Sequence, residues 1–266
     1  MSDPSFADIL AELVPEEGGL TVPVPESWMQ GRTAFGGLTG GLLLAAARRL
    51  VPDLPPLRSA LVNFTAPLGE RPLLKADLMR RGRNVTTVRA EAEADGQTTA
   101  LATFTFGAAR ESHVRMDRPA PDAVPPEEAE PMIPPQALDF APRFFRNFDV
   151  QLIAGNRPVT AADRGYIRAW ARHKAAASWT APEALLCIGD ILPPAVYPML
   201  KKPGPNSSMT WICNVLDDDL STEDGWWQVE TDLSAARDGY SSQVMRAWNS
   251  RGDLVLDGMQ AVAVFV

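Results

Sequence analysis

The chain has 266 residues, 45% of them hydrophobic, which is enough to bury one large core or two small ones. Its formal net charge of −8 argues against a general binder of nucleic acid or of membrane surfaces. No segment approaches the roughly 20 consecutive apolar residues of a membrane-spanning helix, and Met1-Ser2-Asp3-Pro4 lacks the basic-then-apolar order of a signal peptide. Cys187 and Cys213 lie in apolar runs without metal-ligand spacing. We therefore expect buried thiols, no metal and a cytoplasmic protein.

The first half of the chain predicts one apolar helix followed by strands. Ala34-Phe35-Gly36-Gly37-Leu38 opens an apolar run, and leucine and alanine on all sides predict a buried helix over 38–50. Arg48-Arg49 suits the negative end of the helix dipole, and Pro52 then stops the helix. Extended segments are predicted over 59–67, 73–81, 85–94 and 98–106, and the third alternates an apolar face with a polar one, as in a half-buried antiparallel strand.

Proline and acidic residues crowd the middle of the chain, over 110–135. Prolines at this density cannot join a sheet ladder, and the charge resists burial. We therefore predict an N-terminal domain over 1–110, a Pro-rich acidic linker over 111–145 that crosses the surface, and a C-terminal domain over 146–266.

The second half repeats the plan of the first. A strand is predicted over 165–174, an apolar helix over 184–191, and further strands over 208–216, 227–233, 241–249 and 254–266. Corresponding elements lie roughly 150 residues apart, which suits a duplicated domain. A hydrophobic helix inside the curve of a long antiparallel sheet is the hot-dog arrangement. The predicted fold class is thus α+β, a double hot dog of two tandem domains whose sheets join edge to edge and so remove two exposed edges.

Asp190 is a lone carboxylate in the apolar run Leu185-Leu186-Cys187-Ile188-Gly189-Asp190-Ile191-Leu192. Aspartate has poor propensity for a helix interior, and burying an unpaired carboxylate is costly. Either it faces solvent or caps the turn before Pro193-Pro194, or it is a general base whose pKa is raised by apolar surroundings.

Gln260 is the polar interruption of the last predicted strand, 254–266. It either faces outward or is a buried amide that needs a partner, and such an amide could hold a water beside a carboxylate. Phe35-Gly36-Gly37 offers a third feature, because free N–H groups at a helix N-terminus can bind substrate and stabilise an oxyanion. The same glycines could equally serve close packing of helix against sheet.

Other chemistry is poorly supported by the sequence. The two histidines, His113 and His173, make a Ser-His-Asp triad improbable. A basic set could meet the phosphates of a coenzyme A carrier, although such a set is more often a solvated strand face; its members are Arg80, Arg81, Arg83 and Arg89.

Several motifs, in this order, resemble the type II acyl-CoA thioesterases, a family that includes the bacterial medium-chain thioesterase II and its peroxisomal relatives. In the first half they are Phe35-Gly36-Gly37, Asn63-Phe64-Thr65-Ala66-Pro67, Gly82-Arg83-Asn84-Val85-Thr86-Thr87-Val88-Arg89 and Asp95-Gly96. In the second half they are Tyr166-Ile167-Arg168-Ala169-Trp170-Ala171-Arg172, Gly189-Asp190 and Met259-Gln260.

The resemblance implies a hydrolase of fatty acid metabolism that splits acyl-CoA with water, using no cofactor, no metal and no covalent intermediate. It implies that Asp190, Gln260 and a strand hydroxyl hold and activate that water. The hydroxyl falls at Ser208, with Thr210 as the alternative register. Acyl-CoA is the implied partner, with no nucleic acid and no membrane, and the protein could form a homo-oligomer.

Two other functions remain open from the sequence. A hot-dog enoyl-thioester hydratase or dehydratase normally needs a catalytic histidine paired with an acid, which the shortage of histidine disfavours. A non-catalytic acyl-CoA binding protein would keep the cleft without turnover.

Overall fold

The computed structural model describes residues 3–266, so Met1 and Ser2, in the segment where we expect no signal peptide, lie outside the described residues. The α-helices are α1 (Phe6–Ala11), α2 (Gly36–Leu50) and α3 (Pro182–Gly189). The strands are β1 (Val14–Glu16), β2 (Gly19–Thr21), β3 (Met29–Gln30), β4 (Thr33–Ala34), β5 (Leu57–Phe64), β6 (Leu73–Arg81), β7 (Thr86–Ala94), β8 (Gln97–Phe106), β9 (Glu130–Pro131), β10 (Phe148–Gly155), β11 (Tyr166–His173), β12 (Asn206–Val215), β13 (Trp227–Arg237), β14 (Tyr240–Trp248) and β15 (Leu254–Val264).

One 13-stranded antiparallel sheet runs through both halves, in the order β1-β2-β6-β7-β8-β5-β12-β15-β14-β13-β11-β10-β9. Strands β5 and β12 form the seam, with Val62 opposite Trp211 and Leu61 opposite Ile212. The predicted edge-to-edge joining is therefore confirmed, as is the double hot-dog fold. Each half keeps its own strand order around its own helix, and the seam leaves neither half with an open edge at its centre.

The two long helices lie side by side inside the curve of the sheet. Helix α2 buries Leu38, Leu42, Leu43 and Leu44 completely, as its uniformly apolar sequence predicts. A Cβ atom on Gly37 would collide with the carbonyl oxygen of Cys187, and one on Gly41 would lie 2.9 Å from that of Glu183. The helices are therefore antiparallel, and glycine allows their backbones to touch.

Several element boundaries differ from the predictions, and two of the differences have identifiable reasons. Helix α3 ends at Gly189, not at 191, because Pro193 cannot donate to the Gly189 carbonyl and disfavours helical geometry at the residue before it. Asp190 is consequently the C-cap of the helix and not an interior residue. Strand β13 extends to Arg237, past the predicted end at 233, because it continues as a hairpin up to the turn at Asp238-Gly239, where both φ angles are positive.

The proline-rich segment crosses the outer face of the second half of the sheet. Trp227 and Val229 of β13 point into the core, so Gln228 between them points outward, where the segment covers it. Carbonyl groups of the segment accept hydrogen bonds from Trp248 Nε1, Gln228 Nε2, Arg168 Nη2 and Trp170 Nε1; the acceptors are Arg118, Pro121, Asp122 and Val124.

The end of the predicted linker is built into the domain that follows. Strand β9 pairs with β10 at the sheet edge, and 3-10 helices follow over Pro135–Phe140 and Arg143–Asn147. Phe144 and Phe145 are buried there. Within residues 3–266, no helix has the length and apolar character needed to cross a membrane.

Candidate active site

Asp190 sits where the ends of both long helices meet the sheet. Its φ and ψ of −103° and 11° turn the chain out of α3, while its side chain stays buried. Burial raises the pKa of Asp190 to about 7, and hydrogen bonding by Gln260 and by the Gly37 backbone only partly opposes that rise. The carboxyl group can therefore take up or release a proton near neutral pH.

Gln260 faces the core and meets Asp190 directly. On β15, Gly258, Gln260 and Val262 are buried and Met259 is exposed, so the pleat turns the amide inward. Gln260 Nε2 donates to Asp190 Oδ1 at 2.7 Å. The outward-facing alternative for Gln260 does not hold.

The N-terminus of α2 closes over the carboxylate from the other half of the chain. A Cβ atom on Gly36 would lie 2.5 Å from Asp190 Oδ2, and the backbone N–H of Gly37 favours the charged carboxylate. Glycine is therefore required for this close approach. The packing role proposed for this motif is realised, since Gly36 and Gly37 approach Asp190 and α3 closely. The Gly37 N–H favours the Asp190 carboxylate, and the role of the motif in binding substrate and an oxyanion stays a prediction.

A cavity of about 530 Å³ opens beside these groups. Asp190, Gln260 and Ser208 are among its lining residues, and most of its wall is apolar. Phe35, the N-cap of α2, stacks on Phe144 with ring centroids 4.0 Å apart and planes 2° apart, and both rings line the cavity. The site thus places one titratable carboxyl in the wall of a largely apolar chamber.

The structure separates the two hydroxyl candidates. Ser208 lies opposite Val262 and Thr210 opposite Ala261, so Met209 is an extra residue in a bulge of β12. Ser208 lines the cavity. Thr210 is exposed and pairs with Asn63 of β5.

The basic set and the histidines lie elsewhere. Arg80, Arg81 and Arg83 are exposed on the first half, and Arg89 pairs with Glu91 on the same outer face. His173 is buried, and desolvation lowers its pKa to about 4, so it is a neutral core residue. Its Nε2 contacts the Ala184 carbonyl oxygen at 3.1 Å.

Two parts of the site were missed from the sequence. Phe144 and Phe145 lie in the segment predicted to be a surface linker, although a Phe-Phe pair there was a sign of burial. Gln243 of β14 is fully buried and donates to Gln260. The sequence feature that could have identified Gln243 is the one that identified Gln260, namely a lone amide among the inward-facing positions of a strand.

The fold and the site together define a double hot dog with a largely apolar cavity that is lined in part by the Asp190 carboxyl. Family models of acyl-CoA thioesterases match both halves, the N-terminal domain over residues 24–107 and the C-terminal domain over residues 121–264. The chain belongs to the acyl-CoA thioesterase family. The similarity that the sequence motifs suggested is thereby confirmed.

Solved structures agree on the fold. A hot-dog protein of unknown function from Alicyclobacillus acidocaldarius superposes with a TM-score of 0.86 at 24% identity, covering 98% of each chain. A proposed thioesterase II from Thermobifida fusca gives 0.82 at 19% identity, covering 100% of each chain. A proposed thioesterase from Novosphingobium aromaticivorans gives 0.77 at 19% identity, covering 96% of this chain and 99% of its own. No curated protein sequence matches the chain significantly.

Proposed function

We propose that this protein hydrolyses the thioester of fatty acyl-CoA to the free acid and coenzyme A, with Asp190 as the general base. The observation that carries the proposal is the buried Asp190 carboxyl, with its pKa raised to about 7, held by Gln260 at the wall of an apolar cavity. Membership of the acyl-CoA thioesterase family supports the same conclusion.

The reaction balances with water as the only co-reactant. Asp190 accepts a proton from water while the water oxygen forms a bond to the thioester carbonyl carbon. The tetrahedral intermediate then expels the thiolate as the C–S bond breaks, and the thiolate takes up the proton held by Asp190. The carboxylate is regenerated, and neither a metal nor a covalent enzyme intermediate is needed.

The remaining groups have complementary roles in this proposal. Gln260 has a second N–H that can donate to the water oxygen or to the substrate carbonyl, and the Ser208 hydroxyl can bind the same water. Phe35, the N-cap of α2, lines the cavity, and the positive potential of that helix end would favour an oxyanion formed beside it. The apolar wall takes the acyl chain.

The alternatives receive less support. A hydratase or dehydratase would need a histidine with an acid at the cavity, whereas His173 is buried against Ala184 and His113 lies in the proline-rich segment. An acyl-CoA binding protein would not need a carboxyl group with a pKa poised near neutrality, since that property costs stability and serves proton transfer.

The test is thiol release from a panel of acyl-CoA esters of different chain lengths by wild type and by Asp190→Asn. We expect turnover by wild type on at least one ester and a loss of roughly 100-fold or more in the variant. Asp257→Asn is the matched control, because Asp257 lies on β15 but pairs with Arg246 outside the cavity. Binding without thiol release would favour the binding protein, and hydration of an enoyl-CoA would favour the hydratase.

A further inference from the structure

Gln243 is the third side chain in a buried hydrogen-bonded chain that runs from Asp190 through Gln260. It lies directly opposite Gln260 in the pairing of β14 with β15, and its side chain is fully buried. Gln243 Nε2 donates to Gln260 Oε1 at 2.9 Å, and Gln243 Oε1 accepts from the backbone N–H of Ala195 at 2.6 Å. Both hydrogen-bonding ends of this side chain are therefore used inside the protein.

The chain of hydrogen bonds has a fixed direction. A backbone N–H can only donate, so the end of Gln243 that faces Ala195 must be its oxygen. Its NH2 group must then face Gln260, and the atom of Gln260 that receives it must be the oxygen. The NH2 group of Gln260 is left pointing at Asp190, where its bond to Oδ1 is 2.7 Å long.

The reversed orientation of Gln260 would place its amide oxygen against the carboxylate. Two acceptors in contact in a buried site repel each other, and that arrangement would oppose ionisation of Asp190. While Asp190 is protonated, Gln260 alone could adopt either orientation, since a carboxylic acid can both donate to and accept from an amide. A second group is needed to select one of them.

We propose that Gln243 is a positioning residue of the candidate active site, which through Gln260 keeps an N–H donor on Asp190 and so maintains its carboxylate as the proton acceptor. The catalytic consequence rests on the proposed function, whereas the effect on Asp190 does not. Gln243 does not itself line the cavity, so it acts on the reaction only through Gln260.

The titratable groups packed around Asp190 do not provide another explanation for its ionisation. Cys187, on α3, and Cys213, on β12, are the groups that interact with its charge, and burial raises the pKa of the first well above its usual value and of the second to about 12. Both thiols therefore stay neutral between pH 5 and pH 9. Of the other elements that face Asp190, helix α2 presents glycine, and strands β14 and β15 present the amides of Gln243 and Gln260. None of these groups titrates.

The experiment measures the ionisation of Asp190 directly. Full-length protein carrying 13C-labelled aspartate carboxyl groups is titrated by NMR, with Asp190→Asn identifying the resonance. Gln243→Met keeps the length of the side chain but removes both hydrogen-bonding ends, and we expect the titration midpoint of Asp190 to rise. The kcat/KM profile should move to higher pH with it, so that activity at pH 7 falls roughly fivefold for a rise of one pH unit from a midpoint of about 7 and largely recovers at pH 9.

The controls separate positioning from a general effect on the core. Gln228→Met removes another buried glutamine, on the neighbouring strand β13, whose Nε2 donates to Pro121 and not to the site; it should leave the midpoint unchanged. In a Gln260→Met background, Gln243→Met should cause no further change in the midpoint. Gln243→Leu also lacks both hydrogen-bonding ends of the glutamine side chain. It is measured in parallel, so that the test can be made if Gln243→Met does not fold.

An unchanged Asp190 midpoint in the folded Gln243 variants would overturn the proposal, as would an equal shift in Gln228→Met. Failure of the proposed function is a separate result. If wild type released no thiol from any acyl-CoA, the NMR titration would still report whether Gln243 controls the ionisation of Asp190.

Discussion

Gln260 Nε2 lies 2.7 Å from Asp190 Oδ1, although the two residues are 70 positions apart in the sequence. Asp190 caps a helix inside the sheet, and Gln260 belongs to the strand next to the seam between the halves. The hydrogen-bonded pair therefore exists only when the second domain is folded. Gly36, which covers the Asp190 carboxylate, belongs to the first domain, so the complete site requires both domains.

Replacing Asp190 with asparagine should change how stability depends on pH. The folded-state pKa of Asp190, about 7, lies above the usual aspartate value of 3.8, so the charged form is disfavoured by folding. Ionisation of Asp190 should therefore remove stability from wild type as pH rises from about 4 to 7, and this contribution is absent from the asparagine variant. Between pH 5 and pH 8 the variant should gain about 3 kcal/mol relative to wild type.

Urea unfolding of the two proteins at pH 5 and pH 8 checks this prediction. His173 titrates in both proteins, so its contribution cancels in the comparison. Equal changes in unfolding free energy for the two proteins would mean that Asp190 ionises normally in the folded state.

The sequence was sufficient to predict the architecture because each element carries its own pattern. The alternation of apolar and polar residues in β7 and the uniformly apolar sequence of α2 are local signals. The repeated order of helix and strands in the two halves then predicted the duplicated domain. The strand predicted over 73–81 matches β6 in the structure. Asp190 and Gln260 stood out in the same way, as polar residues in apolar runs.

The sequence was insufficient where the outcome depends on tertiary contacts. Nothing local to Phe144 indicates that it stacks on Phe35, more than 100 residues earlier in the chain. The bulge at Met209, which turns Ser208 into the cavity and leaves Thr210 exposed, is likewise set by pairing with β15. The direction of the Gln243 amide depends on a backbone N–H from a loop.

Gly36→Ala should impair catalysis by displacing the carboxylate. The added methyl group would lie 2.5 Å from Asp190 Oδ2 and 3.4 Å from Phe64 Cζ, so Asp190 must move. A displacement of about 1 Å can cost up to roughly 100-fold in rate, and we expect a loss of at least tenfold in kcat on the best acyl-CoA.

Gly40→Ala is the matched control for that variant. It lies one turn further along α2, where the nearest atom to an added Cβ is Trp211 Cζ3 at 3.4 Å, an ordinary contact. We expect it to retain activity and to be at least as stable as wild type, since alanine favours a helix by about 1 kcal/mol over glycine. Equal losses in the two variants would refute a specific role for Gly36.

Lys201 and Lys202 should assist binding of the coenzyme A phosphates. Both are exposed and directly precede Pro203, which lines the cavity, in a protein of net charge −8. The double alanine variant should raise KM roughly three- to tenfold at low salt, with kcat unchanged and with a smaller effect at high salt. Arg80→Ala with Arg83→Ala, on the outer face of the first half, should leave KM unaltered. If the arginine double variant changed KM more than the lysine double variant, the coenzyme A phosphates would be assigned to Arg80 and Arg83 instead.

Ser208→Ala and Gln260→Ala should not act independently if both groups hold one water against Asp190. Each single variant should lose activity, and the double variant should lose less than the product of the single losses, because groups that position one molecule act as a unit. The measurement is kcat/KM for one acyl-CoA in all four combinations. Thr210→Ala serves as the control for the hydroxyl position, since Thr210 is exposed on the far side of the bulge, and it should behave as wild type. Strictly multiplicative losses, or a larger loss from Thr210→Ala than from Ser208→Ala, would assign the water to a different pair of groups.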